Sequence, residues 1–199
     1  SNRFGWVVEI DPLRPDSLPV KRTALGRFKH EGAFVTRAQR GQVVAYMGDD
    51  ERFEYIYKYV SHRPFVAGQP SDGLLDDGTL YVARFAEDGS GRWLALRFGE
   101  NGLTQENGFA DQADILVRAR RAADVVGATP MDRPEWIAVH PKNGEVYCTL
   151  TNNNQRGVGD KPGADAANRR ADNKYGHIVR WTEAGGDAAA TDFRWDTFV

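Results

Sequence analysis

The sequence predicts an all-β fold, because short alternating runs of apolar and polar residues are separated by explicit turn signals and a hairpin unit recurs along the chain. In order, the predicted strands are 5–11, 33–37, 42–47, 54–60, 79–85, 92–98, 136–140, 145–151, 176–182 and 192–198. The turns fall at Arg40-Gly41, Asp77-Gly78, Asp88-Gly89, Lys142-Asn143-Gly144 and Ala184-Gly185-Gly186, where Asn, Asp and Gly accept the angles of a tight reversal. One segment departs from this pattern. Residues 111–126 place Ile115, Leu116, Ala119, Ala122, Ala123 and Val126 at helical spacing, which predicts a single short amphipathic helix inserted between strands. From Gln155 to Asn173 the chain is polar and without period, and reads as a long loop. Phe53, Tyr55, Tyr57 and Tyr59 alternate with Glu54, Ile56, Lys58 and Val60, the pattern of a packed strand whose tyrosines are structural.

The repeats refine the fold class. Asn2-Arg3-Phe4-Gly5-Trp6-Val7-Val8-Glu9-Ile10 parallels Asn173-Lys174-Tyr175-Gly176-His177-Ile178-Val179-Arg180-Trp181, and a second echo links the strands that follow Gly41, Gly78 and Gly144. Hairpin units recurring without a constant period suit the blades of an irregular propeller. A closed sandwich is the alternative. Both ends of the chain lie in or next to strand-like residues, so the sequence predicts one fragment, residues 1–199, truncated on both sides, with open blade edges that invite pairing into a homodimer.

Composition narrows the function. With 199 residues, 41% of them hydrophobic and 27% charged, the chain has the composition of a soluble globular domain. A net charge of -2, from 26 basic and 28 acidic side chains, supplies no long-range attraction for nucleic acid or an anionic membrane. A site for a charged ligand must therefore be built locally. No apolar run approaches the roughly 18–20 residues of a membrane helix. The one cysteine, Cys148, lies in the alternating run Glu145 to Leu150 and reads as a small buried hydrophobe.

Two hairpins carry the chemistry. The first opens at Glu31, turns at Gly41 and returns to Gly48-Asp49-Asp50-Glu51; the second opens at Glu135, turns at Asn143-Gly144 and returns to Thr151-Asn152-Asn153-Asn154. Antiparallel pairing sets the start of each outgoing strand beside the end of its return, so Glu31 meets Asp49 and Asp50, and Glu135 meets Asn152 and Asn153. Corresponding strand ends of a propeller converge on one face. Glu31, Asp50, Glu135, Asn152 and Asn153 would then form an oxygen-rich set suited to a hard cation. Each alone is also an ordinary turn former. Arg133 precedes Pro134, which biases it towards an extended backbone two residues from Glu135, where its guanidinium could take a phosphoryl oxygen. A salt bridge with Asp132 or Glu135 accounts for its spacing equally well.

Beyond these patterns, the stretch Lys21 to Ala33, together with Phe4 to Pro12, Tyr46 to Lys58, Arg133 to Trp136, Leu150 to Asn153 and Asn173 to Trp181, resembles the PhoX-type bacterial alkaline phosphatases. The resemblance implies a partial β-propeller, about half of a six-bladed one, from a phosphomonoesterase with an iron and calcium cluster. It implies Glu31 and Glu135 as cluster ligands, Asp50 as a calcium ligand and Arg133 as the catalytic phosphate contact. It further implies a small phosphomonoester as substrate and a periplasmic or secreted parent protein. One departure stands out: the family's cysteine ligand lies in its N-terminal part, and Cys148 does not match it. The fragment by itself is therefore expected to be inactive. A non-catalytic propeller of the same family and a calcium-dependent propeller lactonase are the alternatives.

Overall fold

A computed structural model describes residues 2–69, 71 and 73–199. Its elements are β1 (Val8–Glu9), β2 (Val20–Lys21), β3 (His30–Arg37), β4 (Gln42–Asp49), β5 (Ile56–Pro64), β6 (Gly78–Phe85), β7 (Ser90–Ala95), α1 (Gln112–Val117), α2 (Ala119–Val126), β8 (Pro134–Val139), β9 (Val146–Leu150), β10 (His177–Glu183) and β11 (Asp192–Thr197). The all-β class holds. Two antiparallel meanders, β3 to β7 and β8 to β11, give the blade-like units that the hairpin repeats predict.

How the meanders join was not visible in the pattern. β7 pairs with β11 through Gly91–Phe193, so the nine strands form one sheet in the order β3-β4-β5-β6-β7-β11-β10-β9-β8. Sheet twist accumulates over nine strands until β8 returns against β3 and β4. The curl almost closes there. A Cβ on Gly48 would lie 2.6 Å from the Glu135 carbonyl oxygen and 2.7 Å from that of Pro134, so only glycine lets β4 approach β8 this closely.

The curl gives the sheet two buried faces. Outside it, Tyr55, Tyr57, Tyr59, Leu80 and Val82 pack against Ile115, Ala119, Ala122 and Ala123 of the helices and against Leu25 and Phe28. Inside it, Val44, Tyr46, Ile56, Trp93, Cys148, Val179, Trp181 and Phe193 form a second core. The strand alternation from Tyr55 to Val60 is thus real, but both of its faces are apolar interfaces. Cys148 is fully buried, and desolvation pushes its thiol pKa well up, which leaves it an inert packing group.

Lys58, on the inner face of β5, is wholly buried. Its Nζ donates to Glu183 Oε1 at 3.2 Å and to the carbonyls of Ala188 and Ala190, while Tyr46, Trp93 and Trp181 also donate to the Glu183 carboxylate. Burial lowers the lysine pKa to about 8, against the pull of Glu183. The ammonium also lies 4.6 Å from the centroid of the Trp93 ring.

Two local expectations changed. The predicted single helix breaks at Arg118 (φ -112, ψ 41), between α1, capped by Asp111 on the Asp114 amide, and α2, ended by left-handed Gly127. Asp114 holds Arg118 in an ion pair at the break, and Ile115, Ala119, Ala122 and Ala123 keep their predicted buried face. The repeat of 2–10 in 173–181 also diverges. Residues 177–183 form a central strand, whereas at the other copy only Val8–Glu9 is strand, paired with Val20–Lys21 in a separate two-stranded sheet. What both copies keep is their glycine at positive φ, Gly5 at 87° and Gly176 at 72°.

Two outcomes follow from this packing. Lys58→Met strands the Glu183 carboxylate and should cost about 3–5 kcal/mol in urea denaturation, with part recovered in the double variant Lys58→Met/Glu183→Gln. A Cβ at Gly176 would lie 2.0 Å from the carbonyl oxygens of Leu150 and Thr151, so Gly176→Ala should destabilise by about 3 kcal/mol through strain and overpacking.

Candidate active site

The curl brings the tips of the two hairpins to one place. His30 pairs with Asp49 and Gly32 with Gly48, which leaves Glu31 on a bulge at the start of β3. Gly48 in turn abuts Pro134 and Glu135 at the start of β8. Glu31 is exposed and Asn152 half-buried. Asp50, Arg133 and Glu135 form an ion cluster in which Arg133 Nη2 lies 2.9 Å from Asp50 Oδ1 and 3.5 Å from Glu135 Oε1. The hydrogen-bond geometry suits Asp50 Oδ2, at 3.1 Å, and leaves Oδ1 with the ion-pair contact to Nη2 but no hydrogen bond among the described residues. Arg133 therefore does form a salt bridge with Glu135, one of the two anticipated, and spans to the other hairpin besides.

The backbone of Arg133 is not extended. Its φ of +56 puts it in the left-handed region, against the preference of a residue preceding proline. Neighbouring contacts impose that conformation. Thr151 N donates to the Arg133 carbonyl, Phe53 N donates to the Met131 carbonyl, Met131 N donates to the Glu54 carbonyl, and the backbones of Arg52 and Asp132 pair in an isolated antiparallel bridge. Phe53, on the facing turn, also has a positive φ, of 67°. Two non-glycine residues in this region, on segments that touch, mark a place where the fold holds strain.

Asn153 is fully buried, and its side chain already has partners: Nδ2 donates to Asp132 Oδ1 at 2.9 Å and Oδ1 accepts from Gln155 N at 3.0 Å. The hub here is Asp132, which sequence reading passed over as a salt-bridge partner of Arg133. Its wholly buried carboxylate also accepts from Arg156 Nε at 2.6 Å and Asn173 Nδ2 at 3.0 Å. Asn153 and Asn173 exchange backbone hydrogen bonds, closing the neck of the long loop that was predicted.

A second support lies under the first hairpin. Asp49, fully buried, accepts two bonds from Arg120 of α2, at 2.6 and 2.7 Å, and a third from Lys29 N. Burial pushes the Asp49 pKa up against the pull of Arg120. Lys29 O also accepts from Asp50 N, so helix, outgoing strand and return tip are tied together. Glu54, packed beside this pair, has its pKa raised to about 7 by burial, and the nearby Arg120 opposes the rise. Burial lowers the His30 pKa to about 4; the ring stacks on Phe28 and its Nε2 bonds Gly26 O, so it reads as a structural histidine.

Nine buried side-chain polar atoms among the described residues have no hydrogen-bond partner, and five belong to this one region: His30 Nδ1, Asp50 Oδ1, Arg52 Nε, Glu54 Oε2 and Thr151 Oγ1. Asp50 Oδ1 and Glu54 Oε2 do face Arg133 and Arg120 in ion pairs. Buried groups lacking hydrogen bonds are costly, and their gathering at strained tips marks a candidate ligand site. Carboxylate, hydroxyl and amide oxygens have the chemistry of hard-cation ligands. Among the described residues, though, no three His, Cys, Asp or Glu side chains stand together closely enough to hold a metal ion. The donors fit such an ion in kind and make up only part of a cage.

An all-β fold that gathers oxygen donors and a guanidinium at neighbouring strand ends has the groups of an oxyanion-handling site. The family described as alkaline phosphatase PhoX matches across residues 1–199, and the chain belongs to it. A solved structure, Pseudomonas fluorescens PhoX in complex with vanadate, a transition state analogue, is similar at 54% identity with a TM-score of 0.95. The match covers 100% of this chain and 36% of that one, so the chain spans about a third of its solved relative. No curated protein matches.

The Glu54 environment has a consequence for stability. Its folded pKa of about 7 lies above the ordinary 4.5, so between these values the folded state keeps a proton that the unfolded state has lost. Stability from this group therefore falls as pH rises through that window, by up to about 3 kcal/mol. In chelator-treated protein, urea denaturation at pH 5, 6.5 and 8 should show Glu54→Gln gaining on the wild type as pH rises. Parallel curves would show that the carboxyl titrates normally.

Proposed function

We propose that this chain supplies the oxyanion-binding part of a metal-dependent phosphomonoesterase, with Arg133 as the phosphate contact. The observation that carries the reading is the junction of Asp50, Arg133 and Glu135, where two hairpins meet at a strained backbone amid unsatisfied polar atoms. The relative at 54% identity was solved with vanadate, a transition state analogue, which supports a phosphoryl-like oxyanion as ligand.

The roles follow from charge and geometry. Both contacts of Arg133 among the described residues go through Nη2, so its Nε and Nη1 donors are available there to meet a phosphoryl oxygen. Its ion pairs hold the guanidinium in place before substrate arrives, which reduces reorganisation when charge develops on the phosphoryl oxygens. The carboxylates of Glu31, Asp50 and Glu135 outnumber the one guanidinium, and by themselves would repel a phosphate dianion. Calcium or iron suits these oxygen donors in kind. Glu31, Asp50, Glu135 and the amide oxygen of Asn152 would each contribute to a cage that groups outside this set must complete, since no three acidic side chains among the described residues stand close enough to hold an ion alone. Asn153 would have to share an oxygen that already accepts a bond. A cation there would neutralise phosphoryl oxygens as a Lewis acid. Glu31, exposed on its bulge, is open to such a cation from solvent. A periplasmic or secreted setting, where calcium is abundant, suits the same reading.

Full-length protein should hydrolyse a phosphomonoester and lose that activity to chelator, while a lactone is left intact. Arg133→Ala should lower kcat/KM by about 10²–10³-fold, the usual effect of deleting one oxyanion donor. Glu135→Ala should abolish chelator-sensitive turnover. A wild type that opens a lactone and leaves the phosphoester untouched would overturn the assignment.

A further inference from the structure

We infer that Asp132 and Arg156 are positioning residues for Arg133, forming a buried clamp that sets the orientation of the phosphate contact. The inference rests on the reading of Arg133 given above. It deepens that reading by naming residues that never reach the ligand.

Asp132 is the residue immediately before Arg133, and both its carboxylate and the guanidinium of Arg156 are wholly inaccessible to solvent. Every donor-bearing nitrogen of Arg156 is engaged: Nε with Asp132 Oδ1 at 2.6 Å, Nη1 with Gly163 O at 2.9 Å and Nη2 with Pro130 O at 2.9 Å. The guanidinium carbon also lies 5.2 Å from the centroid of the Phe53 ring. One side chain thus touches three segments: the turn after β4, the approach to β8 and the long loop. Asn168 Nδ2 adds a second bond to Pro130 O, and Asn173 Nδ2 closes the other oxygen of Asp132.

The clamp ends where the strain begins. Residues 130–132 are held on both flanks, and the next residue has φ +56 before a proline. A left-handed arginine there would relax unless its neighbours over-determined it. Relaxation would swing the side chain off Asp50 and Glu135. A buried ion pair is weak evidence for stability in general, because dehydration offsets its attraction, whereas fixing one conformation is a role that buried polar groups do perform. The engagement of all three Arg156 nitrogens, with an ion-pair contact to Asp165 besides, fits that second role.

The test uses full-length protein. Arg156→Met should weaken inhibition by inorganic vanadate, and raise KM for a phosphomonoester, at least tenfold, with Arg156→Lys recovering part of the loss. In an Arg133→Ala background the same substitution should change vanadate affinity less than twofold, because a positioning residue acts only through what it positions. Full vanadate affinity in Arg156→Met, or a loss that adds to that of Arg133→Ala, would overturn the inference. If Arg156→Met does not fold, Asn173→Ala removes one donor from Asp132 and should weaken vanadate about threefold, again only when Arg133 is present. Hydrogen exchange at the Thr151 amide, which donates to the Arg133 carbonyl, reads the clamp without any ligand. A wild type with no phosphatase activity and no vanadate binding would sink the function. Fast Thr151 exchange in the variant would still report the clamp, and unchanged exchange would remove it.

Discussion

The carboxylate of Asp132 has no access to water, and much of this structure is arranged around satisfying it. A buried carboxylate persists only with several donors, since an uncompensated one costs more than most single contacts return. Asn153, Arg156 and Asn173 provide them, and all three lie on the long loop or its neck. A segment with no periodic structure is therefore anchored at fixed points. Arg156, Asn168 and Asn173 are buried and bonded to the approach of β8, while most of the loop's other polar residues face solvent.

That constraint meets a second one from the sheet. Nine twisted strands bring β8 back against β3 and β4, and Gly48 permits contact with the backbone of Pro134 and Glu135. The hairpin tips are then too close for both to stay relaxed. Strain appears as positive φ at Phe53 and Arg133, and unpaired polar atoms gather in the same place. Local cost of this kind persists where the surrounding structure over-determines it, as the Asp132 network and the Arg120–Asp49 pair do here.

Within the site, legibility divided by sequence distance. Glu31 beside Asp49 follows from hairpin register, because two strands joined by a short turn pair in one way. In the second hairpin Pro134 pairs with Leu150, so Asn152 and Asn153 lie opposite the residues before Glu135 instead of beside it, and Asn153 bonds Asp132. The contact between Arg133 and Asp50 spans 83 residues, and nothing local signals it. Arg120 and Arg156 carry no local signal for the same reason, and Asn173 is legible only as the start of a repeat, not as a buried donor to Asp132. Each is an unremarkable polar residue until the fold removes it from solvent, and burial of a charged group is a tertiary property. The proline after Arg133 pointed to an extended backbone; neighbours fixed from both flanks overrode that local preference.

From the residues alone came the all-β class, the strand sites, the helical stretch, the long loop and the pairing inside each hairpin, because alternation and turn chemistry act over a few residues. The tertiary structure decided how the hairpins are joined and what their tips face. Pairing of β7 with β11 made one curled sheet of two meanders, and the curl set Asp50 against Arg133. It also gave two similar sequences different fates: around Val179 a partner strand exists on each side, while Val8 has only the short Val20–Lys21 to bond. A strand's sequence specifies its pattern of faces, and only the chain around it determines whether those faces are covered.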